Sequence, residues 1–186
     1  MPVIAILMAV VLAVLAGIAL FRAVRLRWTY RGARVISCPE NHGPAGVSLD
    51  SRHVAAHPFS GAPPLRLSSC SRWPGRAGCG QDCLRQIAAS PEDCLVRNIL
   101  LQWYAGKSCV SCGRPFGDIA RAGVKPAVLC ADKVSVEWSE IPTERLSETL
   151  STVAPICFAC HMARKMLREH RELVSGLSES TGRPAR

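Results

Sequence analysis

The chain has 186 residues, a formal net charge of +9 and ten cysteines, but only four Phe, four Trp and two Tyr. A small fold with so few bulky aromatics needs disulfides or bound metal to supplement its apolar interior. Its acids do not cluster, no glycine-rich phosphate loop is present and no Ser-His-Asp set can be nominated, so nothing supports a hydrolase or a transferase.

Val3 to Phe21 is a run of 19 residues with no charged or polar side chain. At about 1.5 Å per residue, a helix of that length just spans a bilayer core of about 30 Å. A cleaved signal peptide is the competing reading, with Ala13-Val14-Leu15-Ala16-Gly17 as a small-residue cleavage site. The apolar run is longer than a usual signal core and has no positive segment before it, which favours a transmembrane anchor over residues 1–21.

Residues 22–35 form a basic juxtamembrane segment holding Arg22, Arg25, Arg27, Arg31 and Arg34 and no acid. The positive-inside rule keeps this side in the cytoplasm and sends the N-terminus out, giving a single-pass protein of the inner (plasma) membrane. The arginines read as an orientation signal attracted to anionic headgroups. They also account for much of the net charge, which weakens any argument from pI to nucleic acid. A reducing cytoplasm disfavours structural disulfides and turns attention to metal or redox roles for the cysteines.

Residues 36–106 read as a cysteine-rich subdomain with helices. Val47–Asp50 and Leu65–Ser68 suit short strands, Ser69–Gly80 is loop, and Asp82–Ala89 suits a short helix. Ser90-Pro91-Glu92-Asp93 has the composition of a helix start, and apolar residues at helical spacing continue to Tyr104, with Gly106 to end the helix. Cys38, Cys70, Cys79 and Cys83 offer a tetrahedral metal site, with Cys94 as a possible substitute for one of them. An iron–sulfur cluster on four of these five is the alternative, although the regular C-x2-C-x2-C run is missing. The Cys38-x3-His42 spacing also permits a histidine ligand, while His53 and His57 read as solvent-exposed.

Residues 107–174 carry the sharpest motif. Cys109-Val110-Ser111-Cys112-Gly113 presents two thiolates from one tight turn, and the glycine lets the backbone fold back so that amides point at sulfur. Lys107 stands beside it as a counter-charge. Cys157-Phe158-Ala159-Cys160 follows after 44 residues at a helix start, where the positive end of the helix dipole favours thiolates. Between them, Val128–Cys130 and Val134–Trp138 suit a hairpin around Ala131-Asp132-Lys133, and Cys130 reads as a spare core thiol. Pro142–Leu150 suits a short helix, Pro155 breaks the chain, and a final helix runs from Phe158 to Val174. The tail at 175–186 has a disordered composition.

A knuckle, a hairpin and a helix that begins with two more ligands resemble the treble-clef zinc arrangement, and the local Cys-x2-Cys-Gly resembles a zinc-ribbon knuckle. The expected fold is thus a small α+β metal-stabilised protein behind one transmembrane helix, with zinc on Cys109, Cys112, Cys157 and Cys160. The chain also resembles a group of bacterial membrane-anchored, cysteine-rich proteins ending in a Cys-x2-Cys-His helix. That resemblance rests on Cys70-Ser71-Arg72-Trp73-Pro74, on the segment from Ser90 to Arg97 and on the two Cys-x2-Cys pairs. It implies a unit over about residues 36–174 and no particular activity.

Three functions follow. Closed four-thiolate sites hold structure and leave no open coordination position, which points to a non-enzymatic membrane-anchored zinc module that binds or scaffolds a protein partner. Cys157-x-x-Cys160-His161 also fits a c-type haem attachment pattern with His161 as axial ligand, and with the iron–sulfur option this makes an electron carrier the alternative. That haem reading needs the opposite topology and leaves Cys109 and Cys112 unused. Nucleic-acid binding through Arg164, Lys165, Arg168 and Arg171 is the least supported, because Glu169 and Glu172 dilute the charge and stacking aromatics are sparse.

Overall fold

The apolar N-terminal run is the start of a longer helix. α1 covers Pro2–Tyr30, a length of about 44 Å at 1.5 Å per residue. None of its most apolar stretch is buried in protein, and it is long and apolar enough to cross a membrane; a signal sequence passes the same test. The helix does not stop where the charge begins. It carries Arg22, Arg25 and Arg27 of the basic segment and ends at Tyr30, which is itself buried in the core. The computed structural model describes residues 2–76, 78–117, 119 and 127–170. The expected tail at 175–186 and the end of the last helix at Val174 lie outside the described residues. The chain divides into two units, Met1–Leu100 and Leu101–Arg186, rather than at the 106/107 boundary suggested by the motifs.

Arg34 departs most from expectation. It is fully buried, not a free juxtamembrane cation. Its guanidinium donates to the carbonyls of Thr29 at 2.6 Å, Tyr30 at 3.0 Å, Gly32 at 3.1 Å and Pro91 at 3.3 Å. The last carbonyls of a helix have no partner within it, and Arg34 supplies one for the end of α1. Burial lowers the Arg34 pKa from its usual value, with Cys94 nearby opposing the shift. Gly32 makes the reversal possible. Its φ is +107°, and a Cβ there would stand 3.1 Å from Leu95 Cδ1.

From this reversal β1 (Ala33–Ser37) pairs antiparallel with β2 (Pro44–Leu49), and β2 pairs with β3 (Leu67–Cys70). The buried face of the sheet carries Ile36, Val47, Leu49 and Leu67. α2 (Ser51–Ala55) adds Val54, and α3 (Cys83–Ala89) adds Cys83 and Ile87. Asp50 caps α2 by accepting from the His53 amide at 3.0 Å, a bond that also holds its carboxyl below the usual range.

The helix expected from Ser90 begins later. α4 is Val96–Tyr104, and residues 91–94 are turn. The cause lies in β1. The Val35 amide donates to the Cys94 carbonyl at 2.9 Å, and Arg34 and Leu95 form an isolated antiparallel bridge. Those contacts tie 94–95 to β1, so the helical pattern cannot start at the Ser90 cap.

In the C-terminal unit β4 (Ala127–Leu129) lies between β5 (Ser135–Glu137) and β6 (Ala154–Ile156), all antiparallel. The hairpin is as expected; its turn places Lys133 at φ 64°, and Asp132 accepts from the Val134 amide. Pro155 does not merely break the chain. It sits in an edge strand opposite Val128, a position where the missing N–H is tolerated. Before β6 comes α5 (Leu146–Thr152), whose buried Leu146 and Leu150 face inward. The Trp103 indole donates to the Leu150 carbonyl at 3.0 Å, and the Tyr104 hydroxyl donates to the Ala127 carbonyl. α6 (Phe158–Glu169) follows β6 directly, with Cys157 as its N-cap residue.

Candidate metal centre

Two backbone turns deliver the sulfurs. In the first, the Cys109 amide donates to the Arg114 carbonyl at 2.9 Å and the Gly113 amide returns to the Cys109 carbonyl at 2.8 Å. Gly113 takes φ +71°, the left-handed conformation that closes this knuckle. Ser108 and Pro115 form a bridge that pins its base. In the second, β6 passes into α6, placing Cys157 at the helix entrance and Cys160 in the first turn. A backbone hydrogen bond joins the two: the Val110 amide donates to the Pro155 carbonyl at 3.0 Å. The strand that sequence reasoning missed is therefore what brings the pairs together.

The sulfurs of Cys109, Cys112, Cys157 and Cys160 all lie within 4.8 Å of one another and form a group able to hold a metal ion. Cys112 Sγ and Cys157 Sγ are 3.8 Å apart. Sulfurs bound at about 2.3 Å to a tetrahedral ion stand about 3.8 Å from each other, so this edge already has the dimension of an occupied site. Four soft thiolates with no oxygen ligand suit zinc or iron and not calcium or magnesium.

Electrostatics differ around the group. Burial pushes the Cys109 thiol up, but backbone amides of Cys157, Cys112 and Ser111 outweigh it and hold the group at about 6. Hydrogen bonding with Cys157 and, next, desolvation push Cys160 up to about 12. Cys109 is buried, Cys157 and Cys160 are half-buried and Cys112 is exposed. An interior anchor and an open outer ligand therefore share one centre.

His161 does not join the sulfurs. It is buried, and its Nδ1 shares a 3.0 Å hydrogen bond with Ser135 Oγ on β5. The Lys107 ammonium, expected as a counter-charge, lies 3.6 Å from the centre of the Trp103 ring. Cys130 is half-buried beside the hairpin turn, where burial and Asp132 raise its pKa. Sequence reasoning did not identify Val110 and Phe158, exposed apolar residues that each follow a cysteine of the group.

The N-terminal cysteines separate into two sets. Cys38, Cys70, Cys79 and Cys83 line one cleft. Cys94 does not; its sulfur lies 3.5 Å from the Ser90 carbonyl and 3.8 Å from that of Pro91. His42 is exposed at φ 55°, and His57 Nδ1 bonds the His53 carbonyl at 2.9 Å.

Comparison of the chain with models of protein families, with curated proteins and with solved structures returned no match.

Proposed function

We propose that the C-terminal unit is a zinc module of the treble-clef kind that organises a surface for a protein partner, tethered by α1 to the cytoplasmic face of a bacterial inner membrane. The observation that carries this reading is the mutual approach of four sulfurs drawn from two turns 44 residues apart in sequence. A tetrathiolate ion is coordinatively closed, so its contribution is to fold and present rather than to catalyse. The order of knuckle, hairpin and helix around the sulfurs supports the treble-clef comparison. Val110 and Phe158 support the docking role, because the ion would hold rigid two apolar side chains that the fold leaves in solvent.

The haem alternative fares less well on the same residues. Cys157 and Cys160 are turned toward Cys109 and Cys112, and the His161 ring is buried against Ser135. The deciding experiment is metal analysis and visible absorption of the full chain in detergent, purified from its native host. One colourless zinc per C-terminal group, lost in a Cys157→Ser/Cys160→Ser variant, is the expected result. A folded protein with no metal at this group and freely titratable thiols rejects the reading, and a haem spectrum replaces it.

A further inference from the structure

We infer that Cys38, Cys70, Cys79 and Cys83 form a second thiolate-held metal centre, independent of the C-terminal one. The cleft they line has a volume of about 40 Å³; Ile36, Ala45 and Leu67 from the sheet form its apolar wall, and Glu40, Asp82 and two arginines are among its polar lining.

Each thiol arrives from a different piece of backbone. Cys38 follows β1 and opens a tight turn in which its amide donates to the Gly43 carbonyl and its carbonyl accepts from the His42 amide, both at 2.8 Å. Cys70 ends β3 opposite Val47. Cys79 is held by a bond from its amide to the Arg76 carbonyl at 3.3 Å. Cys83 opens α3 and is buried in the core. Desolvation raises its thiol first, and Cys70, Cys79 and Cys38 each add to the rise, so Cys83 lies within electrostatic reach of the other three.

Convergence of this kind is costly without an occupant. Four thiols on one cleft contribute little packing compared with branched apolar chains, yet two of them, Cys38 and Cys79, are set by the turns that carry them. Among the described residues between Ser71 and Asp82 there is no regular element. A metal bound by Cys70, Cys79 and Cys83 would tie both ends of that segment and its tip to the sheet, and Cys38 would complete the shell. Arg72 and Arg76 line the same cleft, and Arg72 Nε is buried with no hydrogen-bond partner among the described residues. A thiolate centre would supply an acceptor for that nitrogen.

The group is looser than the C-terminal one. Among the described residues only the C-terminal four meet a mutual 4.8 Å spacing. Binding therefore draws the sulfurs in around a single ion or places an iron–sulfur core between them. Either occupant displaces the thiol protons to solvent.

The test uses the full chain in detergent. Bound metal is counted, and the ten cysteines are alkylated with iodoacetamide and mapped by mass spectrometry before and after a strong chelator. Expected are two metal centres per chain, one surviving Cys157→Ser/Cys160→Ser, and alkylation of Cys38, Cys70, Cys79 and Cys83 accelerated at least about tenfold by chelation. Cys94 and Cys130, outside both centres, change less. Zinc without colour identifies a single ion; iron with acid-labile sulfide identifies a cluster; both support the centre. A single metal lost entirely in the C-terminal variant, with the four N-terminal thiols alkylated equally with and without chelator, overturns it. So does resistance to alkylation that reduction alone relieves, which would mark disulfides. Because alkylation is read on the unsubstituted chain, the answer does not depend on a Cys70→Ser/Cys83→Ser variant folding.

Discussion

The backbone amide of Cys157 donates to the sulfur of Cys109 across 3.3 Å. The bond links the two halves of the sulfur group before any ion enters, and it stabilises negative charge on the one sulfur that is fully buried. The consequence is a division of labour among the thiols.

That division predicts the pH dependence of metal binding. With Cys109 held at about 6 and Cys160 raised to about 12, neutral metal-free protein has Cys109 ionised and Cys160 protonated. Metal must displace the Cys160 proton at any pH below its pKa, so affinity falls as pH falls. Cys109 adds its own proton competition only below about 6. Chelator-competition titrations from about pH 5 to 8 should show affinity decreasing throughout and more steeply at the acid end. A flat profile would contradict the assignment.

Metal removal should act locally. Chelation leaves β4 and β5 paired but removes the ion's share of the link between knuckle and helix entrance, leaving the Val110–Pro155 and Cys157–Cys109 hydrogen bonds. Hydrogen exchange should accelerate at residues 109–113 and 157–161 more than at 127–129. Uniform acceleration over the whole unit would show that the ion supports the entire fold.

Arg34→Met should destabilise the N-terminal unit by at least about 2 kcal/mol, because it strands several carbonyls away from water. Arg34→Lys should not restore stability, since an ammonium on one stem cannot span carbonyls from Thr29 to Pro91. Arg25→Ala, on an exposed turn of α1, serves as the near-neutral comparison in urea unfolding of the full chain.

Tyr104→Phe deletes the donor to the Ala127 carbonyl, both groups being buried. The expected loss is about 1–3 kcal/mol. Denaturant unfolding of the metal-loaded protein measures it, and an unchanged midpoint would show that the carbonyl finds another donor.

Membrane orientation is open to a direct reading. With the arginines of α1 all C-terminal to the apolar stretch, a fluorescent protein fused at the C-terminus should mature and alkaline phosphatase fused there should stay inactive. The reverse pattern would place the cysteines in an oxidising compartment.

The C-terminal site was legible because spacing alone announces it: two Cys-x2-Cys pairs, one with a following glycine and one at a helix start. The strand at 154–156 was not, since a proline in three residues carries no strand pattern and only pairing with β4 defines it. The late start of α4 was hidden for a related reason. Ser90-Pro91-Glu92-Asp93 has helix-start chemistry, and a tertiary bond from Val35 overrides it. Arg34 was misread because a charge run gives no sign of which member turns inward. That choice depends on Gly32 reversing the chain, a backbone event with only a lone glycine to mark it.

Because α1 runs unbroken from its apolar stretch to Tyr30, and Arg34 clamps its final carbonyls, the apolar stretch joins the sheet through continuous helix and a bonded turn. Leu26 and Tyr30 pack into the same interior as Ile36 and Val47, while Arg22 lies over the Phe59 ring. Were α1 to cross a membrane, any tilt or rotation of it would be handed to the sheet, like a handle fixed to a tool head. The cysteine cleft on that sheet would then keep one attitude to the membrane plane.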